Sequence, residues 1–551
     1  MAGTSLTLVD TAGRPLRSRA STVGGGQPNG APLAYFPYGA ADWQTQEMGD
    51  WLPWIRSPDA EINQFRDRMV ARSRDLTRND GWAVGGVQRI LDNTVGAAFR
   101  LKAAPDYRAL AAISGNRKFD AAWAREFQRV AEALWRMFSV DINRYNDVTR
   151  QLTVSAQMRL ALRHKLIDGD GLVVNYWMPE RVGAGAARYA TCFLLVDPDR
   201  LSNPYQMVDS KYMRGGVEID DNGVPIAYHL RQAEQNDWYN AIEANTWERV
   251  LREDDDGWRR VIHDFERDRA GQNRGVGLFI PVLKHMRMLA RYYGTELQAA
   301  VLAASLGTYV TSPYDPAMVE DALSDSDSEL NFYQQLRADW NDKRPAMFNG
   351  VRVPTLAPGE DIKQVSAAHP HTGFEPFARE MQRTFAAASG LSAEQVSQDW
   401  SKTNYSSARA ALLEAWKTMV RRRTEFADNM ATPMYAAWLR EAFENGELPL
   451  PSGSVPDFAE AATAYAGCQW LGPGRGWVDP IKEPAGSLLK LETGLSTMEM
   501  EAAEQGLDWE EVIDQREIEV SEMKRRGLSL PEWAMGAVAA GIAGEPEGRS
   551  E

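Results

Sequence analysis

Residues 391–445 read LSAEQVSQDWSKTNYSSARAALLEAWKTMVRRRTEFADNMATPMYAAWLREAFEN and predict a short helix, a polar hinge and a long helix. Ser392 is the expected N-cap of the short helix, because its hydroxyl accepts from backbone amides in the first turn. The hinge, residues 401–405, is rich in side chains that bond to their own backbone and oppose continuous helix. The long helix is predicted to begin at Ser406 and to kink or break near Thr432, because Pro433 lacks an amide hydrogen. The stretch therefore predicts a loop presented by two helices.

Length and composition limit the class of protein. The chain has 551 residues, more than one hydrophobic core usually serves, so we expect several domains or an elongated subunit. Apolar content of 44% and charged content of 25% are ordinary for a globular protein. No apolar run reaches the ~18 residues of a membrane span, and the N-terminus lacks a secretory signal pattern. Only Cys192 and Cys468 are present, which agrees with a reducing compartment.

The net charge of −15 bears on the possible partners. Proteins that hold nucleic acid by its phosphates are normally basic, because their affinity comes mainly from released counterions. This acidic chain therefore has either no nucleic-acid partner or one that must pass without adhering. Composition by itself favours the first alternative.

Periodicity along the chain predicts an α+β fold that is mainly helical. Helices are predicted at about 60–76, 82–93, 120–138, 147–167, 276–306, 329–342 and 374–388, and strands at 172–177, 190–196, 216–220, 226–230, 260–265, 308–311 and 351–355. Asp220 to Gly223 should form a tight hairpin turn, since Asn-Gly tolerates positive φ. The segment 480–527 is predicted to be helical and is strongly acidic.

Motifs for catalysis, nucleotide binding and metal binding were sought without success. The sequence has no GxxxxGK[ST] loop, no HExxH and no GxSxG, and its two cysteines and six histidines form no recognisable triad. The glycine-rich residues 472–476 predict a structural turn, because they contain proline and no clear strand precedes them. The chain is therefore predicted not to be an enzyme and to bind no cofactor or metal.

Three consecutive arginines, residues 421–423, allow two interpretations. They could contact phosphate, but three successive helical residues cover nearly a whole turn and cannot all face one partner. Salt bridges between subunits together with a solvated face are the alternative.

Several short strings, in a fixed order, carry a resemblance to a known family. They are LSNP at 201–204, QNRG at 272–275, GLS at 390–392, QVS at 395–397, NYSSARA at 404–410, EAW at 414–416, CQWLGPGRG at 468–476, DPIKE at 479–483, GLST at 494–497 and GLD at 506–508. Together they resemble the lambda-type portal proteins of tailed bacteriophages, over roughly residues 79–530.

The resemblance implies an elongated portal-type subunit with wing, stem, clip and crown, assembling into a ring. The implied divisions are a flexible N-terminal arm (1–45), the wing (46–275), a first stem helix (276–308), the clip (309–372), a second stem helix (373–390), the tunnel loop region (391–405), a long kinked helix (406–445), the crown (446–530) and a disordered tail (531–551). The resemblance also implies DNA-facing residues in the tunnel loop, namely Ser401, Lys402, Thr403 and Asn404. Trp400 and Tyr405 are expected to anchor the ends of this loop rather than stack on bases, because packaged DNA is duplex.

The function implied is that of a ring, usually of twelve copies, at one capsid vertex. Double-stranded DNA would be packaged and ejected through its tunnel. The implied partners are further copies of the chain, the terminase large subunit, a major capsid or scaffold protein, and head-completion or adaptor proteins, with no membrane. The protein would reside in the virion at the capsid vertex, and in the host cytoplasm during assembly.

Three alternatives stay open at this point. The portal subunit of a gene transfer agent would have much the same sequence. A nucleic-acid-processing enzyme would need carboxylates converging on divalent ions, and the acidic clusters here lack a recognisable strand–loop–helix context. A helical scaffold without a DNA role is the third, and the mass of the assembly would separate it from a ring.

Overall fold

A computed structural model describes residues 40, 48, 50–183, 187–305, 309–311, 339, 346–348, 351–353, 361–363, 374–401, 403–476 and 479–531. The chain divides into two compact units, residues 1–56 and 57–551. The first unit contains the whole predicted N-terminal arm, and only residues 40, 48 and 50–56 of this unit are described.

Six helices precede the first large sheet. They are α1 (Pro58–Ile62), α2 (Arg66–Asn79), α3 (Gly81–Thr94), α4 (Tyr107–Ser114), α5 (Ala121–Ser139) and α6 (Val154–Asp168). The helix predicted at 60–76 is therefore two helices. The helix predicted at 147–167 begins only at Val154, because the Asp147 carboxylate accepts from the amides of Thr149, Gln151 and Leu152 and holds turns there.

The strands in the described part of the chain form two sheets of more than two strands. One has the order β3–β2–β8, from β2 (Asp170–Trp177), β3 (Thr191–Val196) and β8 (Val261–Phe265). The other has the order β4–β5–β6–β7, from β4 (Met213–Arg214), β5 (Val217–Ile219), β6 (Pro225–Arg231) and β7 (Trp247–Leu251). The Asp220–Gly223 turn is confirmed, with Gly223 at φ +81°. Strand β7 was not predicted: it is an edge strand of only five residues, WERVL, in which apolar and charged residues do not alternate.

Helix α7 (Leu283–Ser305) leads from the sheets to four short strands. Strand β9 (Tyr309–Thr311) pairs with β12 (Asp361–Lys363), and β10 (Ala346–Phe348) pairs with β11 (Val351–Val353). These strands lie in the predicted clip. The helix predicted at 329–342 falls almost wholly outside the described residues.

The opening stretch forms helices much as predicted, with a different break. After α8 (Phe374–Ser389) come α9 (Ala393–Ser397), α10 (Tyr405–Phe426) and α11 (Thr432–Glu444). Between α10 and α11 the five residues Ala427–Ala431 form a π-helix, so the chain stays helical instead of breaking. Pro433 lies in the first turn of α11, and the wider π turn accommodates its missing amide hydrogen.

The C-terminal segment returns to the main core. Strand β1 (Arg100–Ala103) pairs antiparallel with β13 (Cys468–Leu471), next to α12 (Phe458–Tyr465). Trp438 of α11 is fully buried, and Trp135, Phe138 and Tyr435 pack around it. The predicted crown, 446–530, therefore includes residues that complete the core of the preceding domain. Its remainder forms α13 (Lys482–Glu492), α14 (Met498–Glu504) and α15 (Trp509–Arg526).

Within the described parts of the chain, no helix is both long and apolar enough to cross a membrane.

Candidate nucleic-acid interface

The predicted hinge is a short turn whose two ends are fixed by helix caps. Ser392 and Gln395 form a reciprocal capping box at the start of α9, so the predicted N-cap is confirmed. Gln398 ends α9 in the left-handed region at φ +57°. The Asp399 carboxylate accepts from the amide and the hydroxyl of Ser401 at 3.0 and 2.6 Å. The loop is therefore a defined turn with its own hydrogen bonds.

The predicted DNA-facing residues differ in their surroundings. Ser401 and Asn404 are exposed, and Thr403 is half-buried. The Asn404 side-chain oxygen accepts from the Ser407 amide at 2.8 Å, which makes Asn404 the N-cap of α10 and starts that helix one residue earlier than predicted. Lys402 lies outside the described residues. While Asn404 caps the helix, its side-chain amide nitrogen can still donate a hydrogen bond to a ligand.

Of the two predicted anchors, only Trp400 has a described side chain. Trp400 is 38% exposed in the single chain. Tyr405 begins α10, and its side chain lies outside the described residues. Their role as anchors of the loop stays a prediction.

One contact that the sequence did not indicate joins the loop to the second predicted stem helix. Arg379 of α8 lies 3.5 Å from Asp399 and 2.8 Å from Glu375 of its own helix. A cavity of about 420 Å³ opens beside this contact. Its lining includes Trp82, Tyr293, Phe374, Arg379, Asp399 and Thr403. The loop thus lies next to both predicted stem helices, α7 and α8.

Two members of the arginine triplet, Arg422 and Arg423, have a different role from either interpretation of the sequence. Arg422 is buried and donates to the carbonyl oxygen of Ser389, the last residue of α8, at 2.8 Å. Arg423 donates to the carbonyl oxygens of Asn93 and Thr94 at the end of α3, at 2.9 and 3.0 Å. Helix C-termini carry partial negative charge, so both guanidinium groups stabilise helix ends. Both predicted roles, phosphate contact and solvated or intersubunit ion pair, are therefore wrong for these two residues.

Arg421 is the exposed member of the triplet. Its guanidinium pairs with Glu425 at 2.7 Å and with Glu266 at 3.3 Å, so its charge is compensated within the chain.

The QNRG string at 272–275 lies at a buried ionic centre. Asp170, at the start of β2, is fully buried and accepts from Arg66 at 2.9 Å and from Arg274 at 2.9 Å. Its other oxygen accepts from the Gly275 amide at 2.7 Å and contacts His263 Nε2 at 3.0 Å. Asp170 therefore connects α2, β2 and β8 to the segment that enters α7.

The LSNP string at 201–204 meets the same centre. Arg274 donates to the carbonyl oxygens of Leu201 and Pro198 at 2.6 and 3.0 Å. The Asn203 side-chain oxygen accepts from the Gly216 amide at 2.6 Å. Two strings that are far apart in the sequence thus form one hydrogen-bonded junction.

The electrostatics of the junction favour a charged aspartate and a neutral histidine. Burial by itself raises the pKa of Asp170, but the Arg274 and Arg66 guanidinium groups outweigh it and hold this pKa below its usual range. Burial lowers the pKa of His263, against the pull of Asp170. The network therefore stabilises the fold above the ordinary pKa of aspartate and loses that contribution as the pH falls through the lowered value.

The glycine-rich residues 472–476 were predicted to form a structural turn, but they form an irregular segment without an assigned turn, and β13 precedes them directly. A side chain on Gly474 would overlap the backbone of Gln505. Gly506, at φ +71°, would bring a side chain to 2.7 Å from the Gly474 amide nitrogen. The glycines therefore let two backbone segments touch and attach the C-terminal helices to the main core, without cradling a phosphate.

A carboxyl group beside this attachment should make stability depend on pH. Glu132 of α5 accepts from the Ala103 amide at 2.9 Å, and burial, aided by the charges of Asp508 and Glu510, raises its pKa from 4.5 to about 7. Between these values the folded chain keeps a proton that the unfolded chain has released, so stability falls as the pH rises through this window.

Glu132→Gln should remove that loss, because glutamine keeps the acceptor and cannot ionise. We expect the variant to exceed the wild type by about 1–3 kcal/mol at pH 8, and to match it near pH 5, in urea unfolding. Glu126→Gln, at an exposed position of the same helix, is the control and should follow the wild type at both pH values. Equal pH dependence of wild type and Glu132→Gln would contradict the prediction.

The described residues contain no group of three or more His, Cys, Asp or Glu side chains placed to hold a metal ion. The polar clusters in the described residues are ion pairs and helix caps, and these stabilise the fold. The hinge lies at the surface.

Comparison with known proteins identifies the class. Residues 44–423 match the family model described as phage portal protein, lambda family. The chain belongs to this family of portal proteins.

Two curated relatives have similar length. The portal protein of Escherichia phage N15 is 32% identical over 501 residues, covering 90% of this chain and 92% of the relative. Portal protein B of Escherichia phage lambda is also 32% identical over 501 residues, covering 90% of this chain and 91% of the relative.

Solved structures of gene transfer agent particles are more distant. A chain from the neck of an empty particle is 12% identical with a TM-score of 0.43, covering 79% of this chain and 93% of that chain. A chain from the native virion is 11% identical with a TM-score of 0.42, covering 80% of this chain and 93% of that chain.

Proposed function

We propose that this portal protein assembles into a closed ring of twelve copies at one capsid vertex, and that double-stranded DNA is packaged and ejected through the ring. The observation that carries this proposal is the 32% identity to two portal proteins over 90% of the chain. A repeated head-to-tail contact between identical subunits must either close into a ring or grow without end.

The charge of the chain fits a tunnel that does not retain DNA. Twelve copies at −15 each give a ring of −180. Such a ring repels phosphates within a Debye length of about 8 Å at physiological salt. A few polar or cationic side chains then supply weak contacts that exchange easily.

The loop at 398–404 is proposed to face the DNA, with Ser401, Lys402, Thr403 and Asn404 nearest to it. Its position beside α7 and α8, and its own turn hydrogen bonds, support a small polar projection from the stem. Single hydrogen bonds from such side chains to phosphate lack the bidentate grip of arginine.

The remaining partners follow from the same proposal. The ring would bind the terminase large subunit during packaging, a major capsid or scaffold protein at the vertex, and head-completion or adaptor proteins afterwards. The protein would assemble in the host cytoplasm and remain in the virion, without a catalytic role of its own.

The mass of the purified assembly tests the ring directly. Native mass spectrometry should give a species at about twelve times 61.5 kDa, and projection images should have a central hole. A monomer or dimer under every salt condition would overturn the ring and with it the proposed function.

Lys402→Glu tests the loop. Assembly should be unchanged, while packaged genome length or DNA retention should fall several-fold, because twelve cations at the tunnel become twelve anions. Lys417→Glu makes the same charge change at an exposed position of α10 and should package normally. Particles and packaged genome length are counted separately: failed assembly would assign the loop to the subunit interface, and normal packaging would exclude Lys402 from DNA contact.

A further inference from the structure

The chain has an unusual charge distribution around the start of α7. Residues 269–295 contain no aspartate or glutamate, although the chain as a whole is acidic. Two of the cations in this run are used internally, since Arg274 binds Asp170 and Arg269 pairs with Glu61 at 2.8 Å. The other three are Lys284, Arg287 and Arg291, here called the basic stripe.

The basic stripe lies on one side of α7. At 3.6 residues per turn its three members fall within an arc of about 60°. Met286 and Leu289, each 1% exposed, lie on the opposite side and face the core. Lys284, Arg287 and Arg291 are exposed, and within the described residues none of them has an ion-pair partner. The stripe is therefore a cationic surface that the fold of the single chain does not use.

The neighbouring helix does not neutralise this surface. Helix α2 packs against α7 and exposes Arg68, Arg72 and Arg78 as well as Asp67 and Asp75. The Asp75 carboxylate accepts from Asn79 on its own helix at 2.7 Å. The exposed arginines of α2 outnumber its exposed aspartates, so this helix leaves the positive charge of the basic stripe in place.

The predicted stem helices of a second copy offer few free anions to this stripe. In the described residues of α7 and α8 the carboxylates are Glu296, Glu375 and Glu380. Glu375 pairs with Arg379 at 2.8 Å, Glu380 with Arg383 at 3.3 Å, and Glu296 also has a partner. The three cations of the stripe would gain little free energy from carboxylates that already have partners, so a contact between the stem helices of two subunits does not account for the stripe.

We infer that the basic stripe is a contact site for the phosphate backbone of duplex DNA. This inference rests on the proposed function, which brings DNA past the stem. From residue 284 to residue 291 the stripe extends about 10 Å along the helix axis, and duplex DNA presents about six phosphates over that length. Exposed lysine and arginine side chains on one helix face can bind phosphates regardless of base sequence. Three such contacts in each subunit would guide DNA along the stem without retaining it, because each contact to a phosphate exchanges easily and weakens as salt rises.

The test compares two charge reversals of the same kind. Arg287→Glu/Arg291→Glu changes two arginines four residues apart on α7. Arg125→Glu/Arg129→Glu changes two exposed arginines four residues apart on α5, so both variants go from −15 to −19. Binding of a short mixed-sequence DNA duplex to each purified full-length assembly is titrated at several salt concentrations, and native mass is recorded in parallel.

The stripe variant should bind the duplex more than about tenfold more weakly at low salt, and the slope of log affinity against log salt should fall by about 2 for each subunit engaged. The α5 variant should bind as the wild type does. The inference is overturned if both variants lose the same affinity for the duplex, because the total charge of the chain would then explain the loss. It is also overturned if wild-type assemblies do not bind the duplex. It is also overturned if the stripe variant loses assembly, since the stripe would then contact a second copy. The wild-type mass by itself decides the ring, so failure of the proposed function is seen separately.

Discussion

Replacing Asp170 with asparagine should lower the free energy of unfolding by about 3–5 kcal/mol, which is the cost of removing one partner from a buried ionic pair. The substitution leaves the Arg66 and Arg274 guanidinium groups buried without their common carboxylate. It also replaces an oxygen that accepts hydrogen bonds with an amide that donates one. Urea unfolding followed by tryptophan fluorescence measures the change.

Asp221→Asn is the matched control for this prediction. Asp221 pairs with Lys211 at 2.6 Å, but both side chains are largely exposed. The unfolding midpoint of the Asp221→Asn variant should equal that of the wild type. An Asp170→Asn variant as stable as this control would show that the Asp170 junction does not hold the sheets to α7.

Gly275→Ala should be at least as damaging, at about 3 kcal/mol or more, because it overpacks a contact between two backbones. A Cβ at Gly275 would overlap the carbonyl oxygen of Gly169, and it would lie 2.8 Å from the Cβ of Phe265. Backbone atoms cannot rotate away as a side chain can, so the segment entering α7 would have to move. Moving it would break the bond from the Gly275 amide to Asp170.

Gly294→Ala, within α7, should have the opposite effect on the stability of the protein. Gly294 lies within α7, and nothing approaches the position of its missing Cβ within 4 Å. Alanine there should stabilise the helix by up to about 1 kcal/mol. Thermal unfolding of both variants beside the wild type gives the comparison, and equal midpoints for the two would refute the backbone-contact argument.

Local features of the sequence predicted the elements well. Ser392 and Gln395 form the capping box at the predicted position, and Asp120 caps α5 through the Trp123 amide at 2.8 Å. These signals are accurate because a cap bonds to backbone only two or three residues away. The order of the short strings along the chain likewise indicated the portal family before any contact was known.

Local signals were incomplete where a short-range rule allowed two outcomes. Pro433 predicted a kink or break near Thr432, and the chain continues there through a π turn at Ala427–Ala431. Asp147 was taken into a helix, but its carboxylate binds three amides and holds a turn. In both cases the choice depends on packing that neighbouring residues in the sequence do not specify.

The sequence by itself determined the family, the mainly helical composition, the Ser392 cap and the acid-free run at 269–295. Only the tertiary structure decided which polar groups meet: that Arg422 and Arg423 cap the ends of α8 and α3, that Asp170 joins Arg66 to Arg274, and that β13 completes a sheet with β1. It also decided that Lys284, Arg287 and Arg291 face away from the core while Arg274 points into it. The physical reason is that a buried charged side chain requires an oppositely charged or hydrogen-bonding partner, and this partner can come from any part of the chain. Local sequence therefore does not identify the partner, which depends on how the chain packs.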